Sequence, residues 1–252
     1  MPVRSSEVVK RHSRLLKVAL EVEHSRSFWQ HHRSELDAKT DADIAFSEFW
    51  FGTRSYAAVQ TLLSNFRHRF ESFPNALAAL AQWSSLELES CKLICHWHLQ
   101  LSDPVYRQFS GEFLVQRRAS LRGSVTRDAV VAWMDKLDTE RRWTKASHIQ
   151  FASKLLSAAH GAGLVGSAKD PRPAVLPKVP DAALGYLLRL LREVEFEGQL
   201  HDNLYLRSVG LEGRSLDDRL RSLPGVTYRR ISEVVDFEWV DADLVSWVRG
   251  LS

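Results

Sequence analysis

Cysteine is scarce in this chain, 2 in 252 residues, which excludes a scaffold held by disulfides. Glycine and proline are also few, 12 and 8, and that argues against a fibrous or loop-dominated chain. Long apolar runs are missing. One of the longest, residues 184–191, is broken by Arg189, whereas a membrane-spanning helix needs about 20 apolar residues. No apolar stretch suited to a signal peptide follows Met1-Pro2-Val3-Arg4-Ser5-Ser6. A strong charge of either sign is absent too: 34 Lys and Arg against 31 Asp and Glu leave +3, which permits nucleic acid as a partner without requiring it. What remains is the profile of a soluble folded protein, 44% hydrophobic and 26% charged, long enough for a sizeable core. With Cys91 and Cys95 read as reduced thiols, the expected compartment is the cytoplasm.

Apolar spacing predicts a mainly α protein in three parts. Residues 1–115 read as an N-terminal helical bundle. A helix is expected over 7–32, with Val8, Val9, Leu15, Leu16, Ala19, Leu20 and Val22 near a helical period. Asp41 and Asp43 can open a second at Ile44, and Phe46, Phe49, Trp50 and Phe51 are expected mostly in the core, ended by Gly52. Further helices fit 55–73, closed by Pro74, then 76–101, then 105–114 capped by Asp103.

Residues 116–180 read as a winged helix-turn-helix. Gly123-Ser124 marks a linker, and Thr126 caps a helix over 127–137 with Val130, Val131, Met134 and Leu137 inward. Thr144 caps a longer one over 145–160, with Ile149, Phe151, Ala152, Leu155, Leu156 and Ala159 inward. Gly161 and Gly163 stop it. Leu164-Val165 and Ala174-Val175-Leu176 are β-like pieces around a basic loop, the order of helix, turn, helix and wing. Residues 181–252 read as a small α+β, winged-helix-like module. It has helices at 182–194, 204–209 and 216–223, a hairpin at 226–231 and 234–239, and a last helix capped by Asp241.

The sharpest motif is a decoy. Gly161-Ala162-Gly163-Leu164-Val165-Gly166 spells the dinucleotide fingerprint, but that loop must end a strand and open a helix, and here a helix precedes it. Cys91 and Cys95 share a helix face at a spacing able to hold a metal. No second ligand pair follows, His96 and His98 point elsewhere, and buried thiols are the favoured reading. His31 and His32 read as a solvated helix end. Glu193, Glu195, Glu197, His201 and Asp202 read as a solvated acidic turn rather than a nuclease site. No nucleophile elbow or phosphate loop occurs, so no catalytic residue, metal, cofactor or small-molecule substrate is assigned.

The basic segment 107–178 carries the favoured site. Duplex DNA needs Lys and Arg for phosphates and small polar side chains for register. The candidate DNA contacts are Arg117, Arg118, Arg122 and Arg127 on the approach, Thr144, Lys145, Ser147, His148, Gln150 and Lys154 early in the second helix, and Lys169, Arg172 and Lys178 on the wing. Gln can read adenine, but no early Arg is present in that helix to read guanine.

Several stretches together resemble the BrxA proteins of BREX phage-defence systems. They are Phe51-Gly52-Thr53-Arg54 followed by a helix with Arg67, Arg69 and Phe70; Tyr106-Arg107-Gln108-Phe109 with Phe113-Leu114; and Trp143-Thr144-Lys145 through Ala152-Ser153-Lys154-Leu155-Leu156 to Gly161-Ala162-Gly163-Leu164-Val165. The helix at 181–191 completes the likeness. The resemblance implies a small, helical, non-enzymatic protein that binds double-stranded DNA in the cytoplasm with other BREX components. It supplies no base-reading residues. The alternative is a protein–protein adaptor that assembles a defence complex without touching DNA, with exposed aromatics around Trp50 or Trp239 as anchors.

Overall fold

The chain begins extended rather than helical. In the computed structural model, which describes residues 4–121 and 123–251, strand β1 (Ser5–Ser6) pairs in parallel with β4 (Val194–Glu195). The helix expected over 7–32 is confined to α1 (Val22–His31), preceded by a single 3-10 turn at Arg14–Leu16. Tertiary partners explain the difference. The Glu7 and Val8 N–H groups donate to Glu195 and Leu101 carbonyls at 2.9 and 2.8 Å. Val18, Ala19 and Leu20 are all buried, three consecutive positions that one helix face cannot bury together. The carbonyls of Ala19 and Leu20 accept from the buried Arg69 guanidinium at 2.8 and 3.0 Å, so the backbone there is satisfied without a helix.

Helices α2 (Ala38–Ser47), α3 (Tyr56–Phe70), α4 (Pro74–Gln82) and α5 (Leu88–Ser102) follow. Asp37, not Asp41 or Asp43, opens α2: its carboxylate accepts from the N–H of Lys39 and Thr40 at 2.9 and 3.1 Å. Pro74 starts α4 as well as closing α3, because its missing N–H costs nothing at a first helical position. The single helix expected over 76–101 is two, separated at residues 83–87. Of the aromatic cluster, Trp50 and Phe51 are buried, but Phe46 and Phe49 are 41% and 63% exposed.

Helix α5 is buried on nearly every side, the mark of a central element. Its buried side chains bond to neighbouring elements: His96 to the Tyr106 and Ser208 hydroxyls, His98 Nε2 to the Tyr186 hydroxyl, and the Gln100 amide nitrogen to Ser110. The chain then runs through α6 (Pro104–Gln108), a π turn at Phe109–Phe113, and α7 (Leu114–Ala119). Asp103 caps α6 as the sequence predicts, accepting from Val105 and Tyr106 N–H at 3.0 Å.

Next come β2 (Ser124–Val125), α8 (Arg127–Leu137), α9 (Lys145–Gly161) and β3 (Arg172–Pro173). Thr126 and Thr144 cap the two helices as expected. Strands β2 and β3 are antiparallel, Ser124 opposite Pro173 and Val125 opposite Arg172, and Val165 bridges to Ala174.

Helix α10 (Asp181–Glu193) packs on α5, α11 (Leu204–Ser208) on the π turn, and α13 (Leu244–Arg249) on α4. Residues 181–251 therefore complete the same apolar core that residues 4–115 begin. Between them lie α12 (Gly213–Ser222) and a hairpin of β5 (Val226–Ile231) and β6 (Val234–Trp239). Asp243 caps α13, while Asp241 pairs instead with the buried Arg189 at 2.7 Å. That guanidinium also lies over the rings of Trp239 and Trp247.

Candidate nucleic-acid interface

Helices α8 and α9 meet at a corner organised by one carboxylate. Asp138 is buried at the C-terminus of α8; it accepts from the N–H of Arg142 and Trp143 at 2.9 and 3.0 Å and lies 3.1 Å from His148 Nε2. Burial works to raise its pKa, but these hydrogen bonds outweigh burial and hold the carboxyl below its ordinary value. His148 Nδ1 lies 2.6 Å from Asp135, and Trp143 packs on Phe151 with ring centroids 4.7 Å apart. His148 therefore braces the corner from inside, with both ring nitrogens occupied. The sequence-based assignment of His148 to a ligand contact is corrected accordingly.

The outer face of α9 is small and polar. Ala146, Gln150, Ser153, Ser157 and His160 are exposed, with Lys145 exposed and Lys154 half-buried. Ile149, expected inward, is 41% exposed and stands in the same stripe. Residues 143–169 contain no Asp or Glu, and Lys145, Lys154 and Lys169 form no ion pair among the described residues. Thr144 Oγ1 accepts from Ser147 N–H at 3.2 Å and lies 3.0 Å from Ser147 Oγ, so both hydroxyls are engaged in the cap.

The remaining predicted contacts divide. Arg127 is exposed at the start of α8, and its N–H donates to Asp170 at 2.7 Å, which ties α8 to the loop carrying Lys169. Arg172 is neutralised by the same Asp170 at 2.8 Å. Arg117 is half-buried over the Phe113 ring. Arg118 is spent on structure: it donates to the Ser208 carbonyl at 2.9 Å and the Arg207 carbonyl at 3.3 Å, and burial lowers its pKa. Lys178 lies past the ribbon in a cleft shared with Glu87, Glu89 and Asp181, an acidic setting unlike the α9 face. Arg122 lies outside the described residues.

Sequence reasoning missed the N-terminal segment. Residues 8–20 carry Lys10, Arg11, Arg14 and Lys17 with no acid, a signal visible by counting carboxylates rather than bases. Arg11 donates to the Leu137 carbonyl at 2.8 Å, which brings this segment against the end of α8.

The other candidates are engaged elsewhere. His32 is not a solvated helix end: its buried ring lies 3.0 Å from Asp41 and 2.9 Å from Glu71, with Arg67 3.2 Å from each carboxylate. Glu193 holds the N–H of Leu244 and the amide of Asn75. Burial pushes the Cys91 and Cys95 thiols up to about 11 and about 12. Among the described residues no group of three or more His, Cys, Asp or Glu is placed to hold a metal ion. Gly161–Gly166 ends a helix and leads into the Val165 bridge, with no helix opening after it. Trp50 is buried, and Trp239 is half-buried under Arg189 and Arg192. No family model matches the chain, and no curated protein matches it significantly.

Proposed function

We propose that residues 116–180 form a winged helix-turn-helix that binds duplex DNA with weak sequence preference, in a non-enzymatic component of a BREX-type phage-defence system. The observation that carries the DNA reading is the acid-free exposed face of α9, with Lys145 and Lys154 uncompensated. The order of elements supports it. Strand β2 precedes the helix pair, β3 pairs back on β2, and the loop between Val165 and Arg172, which carries the exposed Lys169, stands where a wing would. Small polar side chains such as Gln150 and Ser153 suit close approach to base edges, and Ile149 suits a thymine methyl. The BREX assignment rests on the sequence resemblance alone.

The test is anisotropy of a fluorescent duplex of generic sequence at two salt concentrations. Binding is expected to weaken steeply with salt. Replacing Lys145, Lys154 and Lys169 by Ala is expected to weaken binding on every sequence alike and to lower the salt slope by about 0.9 for each phosphate no longer neutralised. Unchanged affinity in that variant refutes the site. One observation favours the adaptor reading: Ile231 and Val234, paired at the tip of the hairpin, are 78% and 72% exposed, an apolar tip suited to a protein partner. No duplex binding at low salt would put that reading first.

A further inference from the structure

An open groove of about 630 Å³ runs between the N-terminal segment and α3. One wall carries His12, Arg14 and Lys17; the other carries Gln60, Thr61 and Ser64, part of a polar stripe along one face of α3. No acidic residue lines it, none occurs in α3 (Tyr56–Phe70), and none occurs in residues 8–20. Arg14 and Lys17 form no ion pair among the described residues, and the nearest side-chain partner of Arg14 is the Ser64 hydroxyl at a long 3.5 Å. Two cations without an ion-pair partner, beside the Ser64 hydroxyl and the Gln60 amide and with no carboxylate on the groove walls, suit an anion with several acceptor oxygens.

The groove has a floor. His12 and Arg14 also border a small notch of about 10 Å³, the space of one water, together with His68 and Asp103. Asp103 Oδ2 is buried, makes no hydrogen bond, and lies 3.7 Å from His12 Nδ1. His12 Nε2 lies 2.9 Å from the Ser102 carbonyl and 3.3 Å from His68 Nε2.

We propose that this groove binds phosphate, with Arg14 and Lys17 as its counter-charges and the Gln60–Ser64 face of α3 as its polar wall. Two sources share that chemistry: a free phosphate-bearing ligand and the backbone of DNA. Arg11, three residues before Arg14, donates to the Leu137 carbonyl at the end of α8, so the chain that lines the groove runs on to the α8–α9 corner. The choice of source rests on the DNA reading above; the phosphate site does not.

The probes are inorganic pyrophosphate, followed by NMR of the His12 and His68 rings, and a fluorescent duplex. The variants are R14A/K17A, the charge-preserving R14K/K17R, and R214A/R221A as a control for general Coulomb attraction, since Arg214 and Arg221 are exposed on α12. Pyrophosphate is expected to shift both histidine signals. R14A/K17A is expected to weaken that binding roughly tenfold, with recovery in R14K/K17R and little change in the control. A similar loss in the control, or no loss in R14A/K17A, overturns the proposal. If R14A/K17A also weakens the duplex, the phosphate is the DNA backbone; if only pyrophosphate binding falls, the ligand is a free phosphate compound. Should the Lys145, Lys154 and Lys169 variant leave duplex binding unchanged while R14A/K17A loses pyrophosphate, the groove stands and the winged-helix reading falls.

Discussion

Asp138→Ala tests whether one carboxylate builds the α8–α9 corner. The substitution removes the acceptor for two backbone N–H groups and for one face of His148. A hydrogen bond to a charged group is worth about 1.5–3 kcal/mol when its partner is left buried and unmet, and less where water can replace it. Arg142 is exposed and Trp143 half-buried, so about 1 kcal/mol each is appropriate for their N–H groups. His148 is buried and loses one of its two carboxylates, which adds a similar amount. The expected loss is about 2–4 kcal/mol, or roughly 5–12 °C in melting temperature for a chain of this size. Thermal unfolding at pH 7 followed by circular dichroism measures it.

The same carboxylate predicts a pH signature. Its folded pKa is held below the ordinary value, so its contribution is complete above the unfolded pKa near 4 and disappears as pH falls through the folded value. The gap between wild type and Asp138→Ala should be full at pH 7 and should narrow below about pH 4. A melting shift under about 1 °C at pH 7 would refute the reasoning, as would a gap that stays constant to pH 3.

Gly111 in the π turn faces α11: an added Cβ would sit 2.8 Å from Leu204 Cβ and 3.0 Å from its carbonyl oxygen. Gly111→Ala should cost about 1–3 kcal/mol by overpacking, read as a lower urea midpoint, and an unchanged midpoint contradicts the close approach. Cys91 and Cys95, their pKa values raised by burial, should react with an aromatic disulfide reagent at pH 8 only after denaturation; prompt labelling of native protein would show the thiols accessible. Burial lowers His96 and His98 to about 3, so between pH 3 and 6.5 the unfolded chain binds more protons than the folded one. Stability should therefore fall with acidification across that window, by up to about 1.4 kcal/mol per pH unit for each histidine, and His98→Gln should flatten the slope. An identical slope in the variant would mean that His98 is not carried neutral.

The helices on either side of the corner were legible because their signals are local. Thr126, Thr144 and Gly163 lie within a turn of the boundaries they set, and the alternation over 226–239 defines a hairpin without outside help. Residues 7–20 misled because their backbone partners are Glu195, Leu101, Arg107 and Arg69, far away in sequence. Periodicity alone gives a helix there, and tertiary hydrogen bonds override it. The candidate site divides along the same line. Lys145, Gln150 and Lys169 stand exposed where a capped helix and its following loop put them. Arg118 is half-buried against α11 and Lys178, though exposed, faces an acidic cleft beside α10; neither setting is visible from the residues next to them.

Charge sharpens the point. The chain is nearly balanced, with 34 Lys and Arg against 31 Asp and Glu, yet the balance is not local. On the C-terminal elements cations are cancelled pairwise: Arg207 by Asp202, Arg219 by Asp181, Arg229 by Glu238 and Arg230 by Asp217. Residues 8–20, α3 and residues 143–169 contain no carboxylate of their own, and among the described residues Arg14, Lys17, Lys145, Lys154 and Lys169 form no ion pair. At physiological salt a field decays over about 8 Å, so an approaching polyanion responds to these neighbourhoods rather than to the total of +3. The distance from each cation to its nearest carboxylate is therefore a better guide to the binding face than net charge. By that measure Arg14, Lys17, Lys145, Lys154 and Lys169 outrank Arg172, which is paired with Asp170, while Arg118 is set aside on separate grounds, its guanidinium being committed to carbonyl oxygens.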